Sequence, residues 1–184
     1  MSWPAITGWR RLVVLWGLGG ILLLLGQAIV RLAHWTVEAV VEGMEPWQWA
    51  ICGVWVLFQL YAEGHRGFHL RFSPRVVSRA YYLARHPRPL HVAFAPFYCM
   101  SLFHASRRGR IVSWTLVIVI VCLVILIRHA PQPWRGIVDA GVVAGLLWGA
   151  GSVVLHWVRA WRRDPGLPPD LPGETPTAAS ASIP

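Results

Sequence analysis

The stretch IVSWTLVIVIVCLVILI, residues 111–127, decides the fold, because its only polar groups are Ser113 and Thr115. A helix needs about 20 predominantly apolar residues to cross ~30 Å of hydrocarbon, and this run approaches that length. Working outward, three further runs have the same character. Residues 12–30 are interrupted only by Gln27, with Arg10 and Arg11 before them and Arg31 after. Residues 47–62 carry Trp47, Trp49 and Trp55, and residues 137–158 hold Asp139 near their start and His156 near their end. Together they predict an all-α integral membrane protein with four transmembrane helices. The first run is read as a span and not a cleaved signal peptide, since apolar character continues past Gly26-Gln27-Ala28.

Composition agrees. Of the 184 residues 55% are hydrophobic and 14% charged, against roughly 25% charged in a soluble domain. The net charge of +9 is carried by arginine alone, for the chain has no lysine. These arginines sit at the edges of the apolar runs, where a membrane protein keeps its orienting charges, so nucleic acid is not expected as a partner. Cys52, Cys99 and Cys122 are far apart in apolar surroundings, with no CxxC spacing, and read as small buried hydrophobes.

Charge also sets the topology. If residues 89–105 do not cross, fourteen arginines share one side and only Arg31, Arg128 and Arg135 lie on the other. If they cross, the division falls to ten against seven. The positive-inside bias selects the first arrangement, with both termini cytoplasmic at the inner membrane. Residues 63–110 then form an arginine-rich cytoplasmic insert between the second and third spans. Within it Ser73-Pro74 predicts a capped helix start, Val77, Ala80, Tyr81 and Ala84 form one apolar face, and Pro87 and Pro89 end the helix. Such a helix would lie along the membrane surface, with Arg75, Arg79 and Arg85 reaching lipid phosphate or a partner. Residues 89–105 would dip into the bilayer or pack on the other helices, as a re-entrant floor. Residues 1–163 make the membrane domain, and 164–184, rich in Pro, Ala, Ser and Thr, a disordered tail.

Candidate chemistry is sparse. His65 and His69 stand at HxxxH spacing, which on a helix puts two imidazoles on one face. With His91 and His104 they are the candidate metal ligands. Four spans with histidines on the cytoplasmic side resemble the membrane-bound fatty-acid desaturases and hydroxylases, and that resemblance implies a histidine-held metal. The family also carries HxxHH boxes, and no adjacent histidine pair occurs here. A tetrapyrrole would need histidines on facing spans, but His34 and His156 fall at opposite membrane faces. No cofactor is therefore predicted, with metal or tetrapyrrole as the alternatives. Glu63 and Asp139 are the acidic residues at the span ends, with Arg66 or Arg71 and Arg135 or Arg31 as candidate ion-pair partners. Gly141, Gly145 and Gly149, with Ala140 and Ala144, repeat at i+4 and let a neighbouring helix approach closely, within this chain or from another.

The expected function is an accessory, assembly or scaffold subunit of a larger membrane complex, in contact with lipid and with another membrane protein or a second copy. The alternatives are a metal-dependent membrane enzyme using the histidines and a small transporter using Glu63 and Asp139.

Overall fold

The computed structural model describes residues 8–162, and all the regular secondary structure in that range is helical. The tail expected to be disordered lies outside the described residues. Helix α1 covers Trp9–Glu42, α2 Pro46–Gln59, a π-helix Leu60–Phe72, α3 Ser73–Arg85, α4 Pro89–Ala93, α5 Ala95–Cys99, α6 Arg107–Ile127 and α7 Trp134–Arg162. Three of these, α1, α6 and α7, are long and apolar enough to cross a membrane. At 1.5 Å per residue α1 extends about 51 Å and α7 about 44 Å, both beyond the ~30 Å of hydrocarbon.

The expected second span is built differently. As an α-helix α2 has only 14 residues, but the chain continues without a break through the π-helix into α3, one helical rod from residue 46 to residue 85. It begins at a tight turn after α1, where Gly43 takes φ 91°, a left-handed value that suits glycine. Pro46 occupies the first turn of α2, and the Gln48 side chain accepts a hydrogen bond from the Glu45 backbone N–H at 2.9 Å.

Helix α7 is the centre of the bundle. It runs antiparallel to α1, with Gly136 against Ala39 and Trp35 at the upper end, and Val153 and Ala160 sharing a core with Val13, Val14 and Leu18 at the lower end. It runs parallel to the α2–π rod. The Trp55 indole N–H donates to the Val138 carbonyl at 3.2 Å, Gly145 faces Glu63, and Ser152 meets His69. The upper loop is fastened by Gln132, which donates to the Trp35 carbonyl and Glu38 while accepting from the Gly136 N–H.

Helix α3 starts and stops where the sequence predicts, but Ser73 does not cap it, because the π-helix runs directly into it. Val77, Ala80, Tyr81 and Ala84 are buried as expected, and so are Val76, Ser78 and Arg79 behind them. The helix is therefore wedged between neighbours, not laid on a surface. Residues 89–105 form α4, α5 and a turn, docked on α1 where Gly17 and Gly20 leave room for Ala95, Cys99 and Pro96. Cys99 is fully enclosed there, and burial pushes its thiol up to about 12, so it serves packing.

Helix α6 stands apart. Gly109 is its only buried residue, and its attachments are the Ser113 hydroxyl donating to the Met100 carbonyl (2.9 Å) and the Trp114 N–H to that of Leu102 (3.0 Å).

A methyl carbon placed on Gly149 would stand 2.6 Å from the Phe68 ring, whereas one on Gly151 would meet nothing within 4 Å. Gly149→Leu is therefore expected to destabilise the bundle by about 1–3 kcal/mol through overpacking. Gly151→Ala should be near neutral, with thermal unfolding in mild detergent as the measurement.

Candidate functional site

The polar groups of the apolar bundle concentrate on the seam between the α2–π rod and α7. The glycines of α7 make the seam. Gly141 faces Trp55 and Gln59, Gly145 faces Gln59 and Glu63, and Gly149 faces Phe68. Side chains at these positions would hold the two backbones apart, and without a hydrophobic force between helices in lipid, closeness itself supplies the attraction. The reciprocal position is Gly64, where a methyl carbon would come 2.9 Å from the Trp148 ring. Ala140 belongs to another surface, lining with Thr36, Ala39 and Cys52 an apolar cavity of about 170 Å³, while Ala144 is half-buried.

This register puts residues 63–69 against 145–152 of α7, the middle of that apolar helix. Glu63, expected near the inner end of its span, is level with the centre of its neighbour. Glu63 and Arg66 are both exposed residues, with the Glu63 carboxylate turned toward Gly145, and neither is in an ion pair among the described residues. Asp139 lies higher on α7, buried, with its carboxylate 3.9 Å from Arg135. Arg135 in turn lies 3.4 Å over the Trp35 ring. Gln59, also buried, contacts the α7 surface between the levels of the two acids.

The π-helix explains the arrangement of rings. Bonds from i to i+5 widen the turn to roughly four to five residues, so positions four apart stay nearly in line. Tyr61 stacks on His65 at 6.4 Å between centroids and His65 on His69 at 5.6 Å, with planes 21° and 16° apart. The HxxxH pair thus comes together, and a third imidazole joins it from α7. His156 lies 4.9 Å from His69. His69 Nδ1 is 3.2 Å from the Ser152 hydroxyl, and His156 Nδ1–H donates to the Ser152 carbonyl at 2.9 Å. That bond fixes the proton on Nδ1, because a carbonyl only accepts. Sequence reasoning placed His156 at the foot of its span without linking it to the pair; the parallel register of the two helices makes the link.

His91 and His104 form a separate pair at the foot of the bundle, 4.5 Å apart and beside Tyr98. The four candidate ligands are therefore divided between two places. Among the described residues no group of three or more histidine, cysteine or acidic side chains is arranged to hold a metal ion.

Arg79 organises this foot. Its relative exposure is 0%, so it is an interior residue instead of the surface arginine expected. Its Nε donates to the Tyr98 carbonyl at 2.8 Å and its Nη2 to those of Phe103 and His104, with the guanidinium 4.3 Å over the Tyr98 ring. The turn it clamps holds two non-glycine residues at positive φ, Ser101 at 62° and His104 at 50°, each a strained conformation that persists only when neighbours enforce it. Arg75 and Arg85 are half-buried.

No protein-family model matches the chain, and neither a curated protein nor a solved structure shows significant similarity to it.

Arg79→Met would leave three carbonyls without their donor and release the strained turn. A loss of about 2 kcal/mol or more is expected, with new protease cleavage near residues 100–106 as the local readout. Burial first, then nearby positive charge, holds both histidines of the foot below the ordinary 6.5: His104, Arg88 and Arg79 act on His91, and Arg88 and Arg79 on His104. Both imidazoles are neutral above about pH 6.5 in folded and unfolded chains alike. Below it the unfolded chain binds protons first, so stability should fall on acidification. Replacing both histidines by glutamine should flatten that acid-side decline in a series of melts.

Proposed function

We propose that this chain is a four-pass inner-membrane protein and that it serves as an accessory or scaffold subunit of a larger membrane assembly. In this reading the α2–π rod is the fourth crossing beside α1, α6 and α7, and the arginine bias places both termini in the cytoplasm.

The observation that supports the subunit role is the position of Glu63 and Arg66. Both are exposed at the level of the apolar centre of α7, with Glu63 at the edge of the seam, where its Oε2 comes 3.3 Å from the place a methyl carbon on Gly145 would take. A charged side chain at the centre of a spanning helix costs about 2.5–3.5 kcal/mol on insertion scales, and such residues face protein or a water-filled cavity. Within this chain nothing among the described residues pairs with either charge. A neighbouring protein that covers the face removes the difficulty. The exposed flanks of α6 make no such demand, since their apolar side chains are at home in lipid.

A photo-activated benzophenone side chain at Leu70, exposed on the same face, is expected to form protein adducts in native membranes. The same probe at Ile120 on α6 should give mainly lipid adducts. Lipid adducts alone at both positions would overturn the subunit reading.

A further inference from the structure

We infer that the protein covering the π-helical face is a second copy of this chain, packed in parallel about a twofold axis along the membrane normal, with Glu63 of each copy against Arg66 of the other. This rests on the reading above that protein, not lipid, covers the face.

The face carries one acid and one base at nearly the same depth, both exposed and neither in an ion pair. A partner of uniform charge would answer one of them and repel the other. A face bearing both signs is answered in full by itself, because an isologous contact brings residue i to j and j to i.

Helical geometry then specifies which way the copies meet. With roughly four to five residues per turn in a π-helix, positions 63 and 66 diverge by about a third of a turn. Between them lie Ala62 and Gly67, one π turn apart. A methyl carbon on Gly67 would meet only the Ala62 carbonyl of its own helix, 3.5 Å away, so among the described residues no other element comes within 4 Å of that position. The small side chains of this ridge let a second backbone come close. When two parallel helices are related by a twofold axis, the residue on one flank of the contact faces the residue on the opposite flank of its partner, as at the e and g positions of a parallel coiled coil. Glu63 and Arg66 flank the ridge in this way, and the pair forms twice. Arg71 lies further down the rod, where its long stem can carry the guanidinium to the aqueous boundary.

The test uses the full-length chain under two different affinity tags, co-expressed and extracted into nanodiscs. Wild-type copies are expected to co-purify. Glu63→Arg and Arg66→Glu each set like charges against one another and should reduce co-purification at least about tenfold. The double variant Glu63→Arg/Arg66→Glu should restore it. Co-expressing one single variant with the other should also restore it, since each copy then supplies what its partner lacks, and that recovery rules out misfolding as the cause of the losses. Absence of wild-type co-purification, indifference to the single substitutions, or no recovery in the mixed pair overturns the inference. If the Leu70 adduct contains a different protein and tagged copies do not pair, the inference fails while the subunit reading stands.

Discussion

The distance between α7 and the α2–π rod governs this molecule. Where lipid surrounds two helices, its tails are as apolar as leucine, and van der Waals contact over a long seam must hold the helices together. Gly141, Gly145 and Gly149 lower one wall of that seam, and the indole of Trp55, the side chain of Glu63 with its carboxylate and the ring of Phe68 fill the space. Gly64 repeats the device from the other side under Trp148. Once the register of the two helices is set, the depth of every polar group on the rod is set with it.

The π-helix follows from the same contact. Its wide turns bring Gly64 and Phe68 to the α7 side while holding Tyr61, His65 and His69 in a stacked row. They also carry the chain without interruption into α3, which is why the foot of the bundle is a packed structure. Arg79 then takes a place that an apolar side chain could fill by volume but not by chemistry. Three carbonyls of a strained turn converge on it, and a planar guanidinium with several donors can answer all three.

Much of the architecture was legible in the sequence. Unbroken hydropathy located α1, α6 and α7, and the i+4 glycines of α7 lie at its contact with the rod. Proline and apolar periodicity set both ends of α3. What stayed hidden has physical causes. Residues 60–72 are polar, and polarity at the end of a short apolar run reads as the start of a loop, whereas packing against α7 keeps them helical. Periodicity of the α type cannot show a turn that has widened. Arg79 read as a surface charge because composition reports the cost of burying a guanidinium but not the carbonyls that offset it, which come from residues 19 to 25 positions away. The glycine repeat encodes closeness without naming its partner; in the structure the rod lies against it, and Gly17 and Gly20 of α1 receive α5.

The isolation of α6 has a consequence for how this chain can change over generations. Beyond Gly109, Ser113 and Trp114 near its start, no position in that helix answers to a particular neighbour among the described residues, so what constrains its middle is bulk hydropathy and length, not identity. Valine, isoleucine and leucine should exchange there almost freely. On α7, a single added methylene at Gly141, Gly145 or Gly149 would be felt along the seam. Two apolar helices thus stand under opposite kinds of selection, one for a property and the other for a shape.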